Sequence, residues 1–128
     1  MLAQAPFVGF IPIRDAASAR AFYQGVLGLT VVDETPFALT VDAAGTMLRL
    51  TIVAELTPHP FTIAGWSVPD IDSAVAALAS AGIECARYDG FGQDDRGIWT
   101  APSGTRVAWF HDPDGNLLSL QTSDNAPS

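Results

Sequence analysis

Basic side chains are scarce in this chain: six Lys and Arg stand against fourteen Asp and Glu, for a formal charge of −8 over 128 residues. A field of that sign repels polyphosphate, so neither nucleic acid nor an anionic membrane surface is expected as a partner. Cysteine is scarcer still. Cys85 is alone and cannot close an internal disulfide. It lies in GIECARY, which reads as a strand, where a small buried thiol is expected rather than a reactive one. No charged start followed by an apolar signal core precedes Phe7, so a cytoplasmic location is expected. No apolar run approaches the roughly 20 residues that a membrane helix needs. The two histidines are isolated: His59 sits between prolines and His111 just before a turn, and both are expected to be structural or on the surface.

What is present is a high apolar content, 48%, enough for one compact domain with a real core. The pattern is one unit written twice. FVGFIPI is strand-like, Asp15 caps a helix with Ala19, Phe22, Tyr23 and Val26 at helical spacing, and Gly28 stops it. Strands are predicted at 29–33, 37–41 and 47–53, the last two joined by the turn DAAG. TPHP (57–60) then forbids helix and interrupts any ladder, which makes it a linker. After it the syllables return: the strand FTIAGWSV, Asp70 as cap, a helix with Ile71, Ala74, Val75 and Leu78 on one side, and Gly82 as stop. Further strands are predicted at 83–88, 97–101, 106–110 and 116–122, with one long loop over 89–96.

The two halves can be set in register. Asp15 and Ser18 fall on Asp70 and Ser73 at one offset, and Asp42 and Gly45 fall on Asp112 and Gly115 at a larger one, the difference being the longer second half. A helix covers only one face of a sheet, so neither half buries its sheet alone. The expected fold is therefore α+β: one domain over 1–128 built of two tandem βαβββ modules, about 7–56 and 61–122, whose curved mixed sheets surround a central cup.

RDAASARAFYQGVLGL in the first half and WFHDPDGNLLSLQ at the end resemble the vicinal oxygen chelate superfamily, which includes glyoxalase I, extradiol dioxygenases, fosfomycin-modifying enzymes and bleomycin-binding proteins. The resemblance covers about Phe7 to Gln121. It implies this glyoxalase-like fold and says little about the reaction, since the scaffold hosts many chemistries. In metal-using members, His or Glu side chains hold a divalent ion from four equivalent places. The first-strand places lie seven residues before each helix-capping aspartate, at Val8 and Ile63, and the last-strand places seven residues after each turn aspartate, at Arg49 and Ser119. None of the four is a ligand for a divalent ion, and Arg49, always protonated, would repel one. No metal and no cofactor is therefore expected.

If those four residues face the cup, alternation puts Phe10, Pro12, Met47, Thr51, Gly65, Ser67, Leu117 and Gln121 beside them. The expected ligand-binding residues are Val8, Phe10, Arg49, Thr51, Ile63, Ser67, Trp99, Trp109, Ser119 and Gln121. Arg49 stands where the metal would and anchors an anionic or carbonyl oxygen of a small organic molecule, unless a carboxylate of the protein pairs with it. Trp66, opposite in direction to Ser67, is expected under the helix, and Asp94, Asp95 and Arg96 could form a lid. No catalytic residue is assigned, because the predicted face lacks a general base. Three readings stay open: a metal-free binding protein, a metal-dependent lyase, isomerase or dioxygenase of the superfamily, and a regulatory module with an occluded cup. A homodimer is expected from the resemblance.

Overall fold

The computed structural model describes residues 1–122. The chain divides into two compact units, the first ending at Thr57 and the second beginning at Pro58. Each is a βαβββ module, and the fold class is α+β.

In the first module β1 (Val8–Ile13) leads to α1 (Ala16–Ala19) and then to β2 (Thr30–Glu34), β3 (Ala38–Ala43) and β4 (Thr46–Ile52). The sheet order is β1-β4-β3-β2, with β1 and β4 parallel and the other pairs antiparallel. Asp15 opens the helix as its spacing predicts: in extended conformation, it accepts the Ser18 N–H at 2.9 Å and the Ser18 hydroxyl at 2.9 Å. The helix does not stay α. From Arg20 to Val26 it is π-helical, with Leu27 N–H donating to the Phe22 carbonyl at 2.9 Å. The wider turn lets two consecutive aromatics, Phe22 and Tyr23, both be buried, their rings edge-to-face at 5.2 Å. Their burial is what the helical spacing predicts; the π-helical turn is not.

The β3–β4 corner is the DAAG turn. Ala44 and Gly45 both take positive φ, 52° and 93°, which matches the right-handed twist of a hairpin, and the Asp42 carboxylate accepts the Gly45 N–H at 2.7 Å. Gly45 does this at no steric cost; Ala44 does not.

The second module has β5 (Ala64–Val68), α2 (Ile71–Ser80), β6 (Trp99–Thr100), β7 (Arg106–His111) and β8 (Leu117–Thr122), in sheet order β5-β8-β7-β6. Asp70 caps α2 by accepting the Ser73 N–H and hydroxyl at 3.2 and 2.8 Å. Ile71, Val75 and Leu78 are buried, and the helix packs on β7 and β8, where Ala108, Phe110, Leu118 and Leu120 are also buried. Trp66 is half-buried on that same side of the sheet, in register with Leu120. At the last corner the buried Asp112 carboxylate accepts N–H groups of Asp114 and Asn116, each at 2.9 Å.

Three strand expectations are corrected. Residues 83–88 form no strand: only Ala86 reaches β7, donating its N–H to the Trp109 carbonyl at 2.7 Å. A side chain takes over the missing ladder, since the Gln93 amide donates to the carbonyls of Ala86 and Gly97 at 2.9 and 2.7 Å and accepts the Tyr88 N–H at 2.7 Å. The strand expected over 97–101 shrinks to two residues because Gly97, at φ 94°, bends the chain away from the ladder. The strand expected from Phe61 begins only at Ala64, so Ile63 lies just outside it, tied to β8 by one bond to the Leu117 carbonyl at 3.0 Å.

Candidate functional site

Each module leaves one sheet face uncovered by its helix, and the expected site residues lie on these two faces. In the first module a single cross-strand row runs Phe10, Arg49, Thr40, Asp33, from β1 through β4 and β3 to β2. A second row places Thr51 between Pro12 and Ala38, and Val8 pairs with Met47. Phe10, Arg49 and Thr51 line a hollow of about 420 Å³ together with Asp33, Thr35, Phe37, Ala38 and Thr40; Val8 is not part of it.

Arg49 is exposed, and its guanidinium carbon lies 5.8 Å from the centre of the Phe10 ring, within range of a cation–π attraction. Among the described residues it makes no ion pair and no side-chain hydrogen bond with the protein. The other arginines are committed. Arg20 pairs with Glu34 on the helix side of the sheet, Arg14 donates to the Leu56 carbonyl at 2.5 Å, and Arg106 grips Asp72 through two bonds of 2.8 and 3.0 Å. Arg96 lies 3.6 Å from Asp72, and Arg87 donates to the carbonyls of Asp94 and Asp95.

Asp33 reaches this face through a β-bulge. Val31 pairs with Val41, yet Asp33 pairs with Thr40, so Val32 is the extra residue. Strict alternation would turn Asp33 toward the helix side with Val31; the bulge re-aims it. Simple period-two reading therefore misses Asp33; Thr35, Phe37 and Thr40, which also line the hollow, are not among the expected site residues either.

On the second module's uncovered face Trp109 pairs with Ser119, Val107 with Gln121, and Ser119 in turn with Gly65, while Ser67 pairs with Gln121. Ser119's hydroxyl lies over Gly65: a Cβ there would meet it at 2.3 Å, so only glycine leaves that space. Trp99 and Trp109 meet at 6.1 Å between ring centres, and Phe91 and Tyr88 close the cluster at 5.5 Å from Trp99 and Trp109 respectively. Tyr88 and Phe91 are the residues here that sequence reasoning missed; they sit in and beside the segment 89–96. That segment is braced by the three Gln93 bonds. Asp94 adds two more, its carboxylate accepting the N–H groups of Arg96 and Ile98, each at 2.9 Å.

A larger hollow, about 490 Å³, lies between α2 and the segment 83–96, lined by Val75, Ala79, Cys85, Arg87 and Arg96 among others. Burial pushes the Cys85 thiol up in pKa, with Arg87 opposing, so it holds less thiolate than a free cysteine.

A profile of the glyoxalase/bleomycin resistance protein/dioxygenase superfamily matches residues 5–120. The chain belongs to this superfamily. Among solved structures, a superfamily member from Sphaerobacter thermophilus is 25% identical, with a TM-score of 0.75 over 96% of this chain and 100% of that one. The genomically encoded fosfomycin resistance protein FosX from Listeria monocytogenes is 14% identical, with a TM-score of 0.76 over 98% and 97%. A lactoylglutathione lyase from Agrobacterium tumefaciens is 17% identical, at 0.73 over 94% of each chain. The last two likenesses show the fold alone. No curated protein matches.

At Val8, Arg49, Ile63 and Ser119, where the resemblance implies metal ligands, this chain has two aliphatic side chains, a guanidinium and a hydroxyl. That donor set does not fit a divalent ion, which takes carboxylate, imidazole or thiolate ligands, three or more together. Among the described residues no group of three or more His, Cys, Asp or Glu side chains is arranged to hold one elsewhere.

Proposed function

We propose that this superfamily member binds a small organic anion, without metal, on the uncovered face of its first sheet, with Arg49 as the anchor. The observation that carries this is the uncommitted guanidinium, held over Phe10 and facing a hollow that also offers the hydroxyls of Thr40 and Thr51. A planar guanidinium presents a fork of donors to a carboxylate or enediolate, and an aromatic ring beneath it limits the entropy lost on binding. Phe10 and Phe37 supply the apolar wall expected of a small-molecule site. Val8, Ile63, Ser67, Trp99, Trp109, Ser119 and Gln121 remain proposed contacts on their own sheet faces.

The test is thermal shift with short carboxylates and enediol-like metabolites, comparing the wild type with Arg49→Met. The wild type is expected to be stabilised and the variant not; equal shifts in both overturn the reading. Metal analysis addresses the metal-dependent lyase, isomerase or dioxygenase alternative, with stoichiometric Fe, Mn, Ni or Zn in the purified protein counting against the proposal. The proposal includes a cytoplasmic homodimer with no nucleic-acid or membrane partner. It is supported by the acidic surface, the lone cysteine and exposed apolar side chains such as Phe7 and Phe37. No helix among the described residues is long and apolar enough to cross a membrane.

A further inference from the structure

Asp33 has no role in gripping an anion; a carboxylate beside an anion site repels what Arg49 attracts. Its placement nevertheless depends on the bulge at Val32, since the next residue, Glu34, points the other way and pairs with Arg20. Bulges are over-represented where a side chain must be aimed at a site. Among the described residues Asp33 forms no ion pair and no side-chain hydrogen bond with the protein, so its charge, like that of Arg49, is open to a ligand.

The two charges lie in one row with Thr40 between them. Neighbouring strands are spaced by about 4.8 Å, so the backbones carrying Asp33 and Arg49 stand roughly 10 Å apart. The Arg49 guanidinium lies 5.8 Å from the Phe10 ring of β1, the strand on the far side of β4 from β3 and β2. A ligand whose acid and amine sit on the same carbon spans this poorly. One whose acid and amine are separated by several methylenes can pair at both ends, and the methylenes would run past the buried Thr40 between the Phe10 and Phe37 rings.

Building on the Arg49 reading, we propose that the hollow selects a small ω-aminocarboxylate: the carboxylate on Arg49, the ammonium on Asp33, the aliphatic chain between the two phenyl rings. Charge pairing at both ends gives discrimination against molecules carrying only one of the charges.

The experiment is isothermal titration of the full chain with hexanoate, hexylamine, 4-aminobutyrate and 6-aminohexanoate, using wild type, Asp33→Asn and Arg49→Met. The better of the two aminocarboxylates is expected to bind wild type about tenfold more tightly than hexanoate or hexylamine. Asp33→Asn should erase that advantage while hexanoate binds as well as before or better, because a repelling charge is gone. Both variants lie on an exposed strand face, and circular dichroism checks that they fold. Equal wild-type affinity for hexanoate and the aminocarboxylates, or an advantage that survives Asp33→Asn, overturns the proposal and leaves the Arg49 reading standing. Hexanoate binding unchanged in Arg49→Met overturns the Arg49 reading instead. No binding of any probe to wild type overturns both.

Discussion

In the first module the outermost strand, β2, runs five residues along β3 and breaks step only at Val32; in the second, the matching edge of β7 is shared between the two residues of β6 and a single bond from Ala86. The inner strands of both sheets keep the same order and direction. Edges tolerate what centres do not, because an edge strand has a partner on one side only and a disruption costs few ladder bonds. The two modules have used that freedom differently. One turns a carboxylate onto the sheet face that also carries an exposed arginine. The other replaces ladder bonds with the Gln93 amide and gathers four aromatic rings beside a serine.

Substitutions can break this contrast, beginning with the core, where the effect should be largest. Phe110 is fully buried under α2, and Phe110→Ala should cost about 3–5 kcal/mol. Urea unfolding followed by tryptophan emission measures it in the second module specifically, since Trp66, Trp99 and Trp109 all lie there. Gln93→Ala comes next. It strands two carbonyls and one N–H that the amide now serves, for a loss of roughly 2–3 kcal/mol, and the altered packing of Phe91 on Trp99 should shift the emission. A loss below about half a kcal/mol would mean that the 89–96 segment does not depend on the bracing described.

A change in the first module should go the other way. Ala44→Gly relieves a left-handed conformation and is expected to stabilise by about 1 kcal/mol in denaturant titration, part of the gain being offset by the freer unfolded chain.

The mildest effect is the response to acid. The Ser18 N–H holds the Asp15 carboxyl below the usual range, the Ser73 hydroxyl does the same for Asp70, and the bonded Arg106 guanidinium for Asp72. Burial alone would raise Asp94, but the N–H groups of Ile98 and Arg96 outweigh it and leave it lowered. A folded-state pKa below the unfolded one contributes stability above the unfolded value, which disappears as pH falls through the folded value. Three of these four groups lie in the second module. Its tryptophan signal should therefore report unfolding at a higher pH than far-ultraviolet dichroism reports for the chain as a whole; coincident acid transitions would count against a separate response of the two modules.

Much of the fold was readable because its signals are local. Asp15 and Asp70 cap helices, and Asp42 and Asp112 organise corners, through bonds to residues three or four positions on. Alternation likewise put Phe10, Arg49 and Thr51 on one face. What escaped is what violates a fixed period: the π-helical geometry of 20–26, whose buried residues the helical spacing nevertheless predicts, and the extra Val32 that redirects Asp33. The strand expected at 83–88 failed for a related reason. Its β-rich composition is real, but the bonds that satisfy its backbone come from a glutamine several residues away, and composition carries no record of that partner.

Val32 also has an evolutionary reading. Loss of one codon there would restore even pairing along β2 and keep the aspartate opposite Thr40, since it would then follow Val31 in regular alternation. This edge can therefore change length by one residue in a single in-frame step without altering the charge it presents to the hollow.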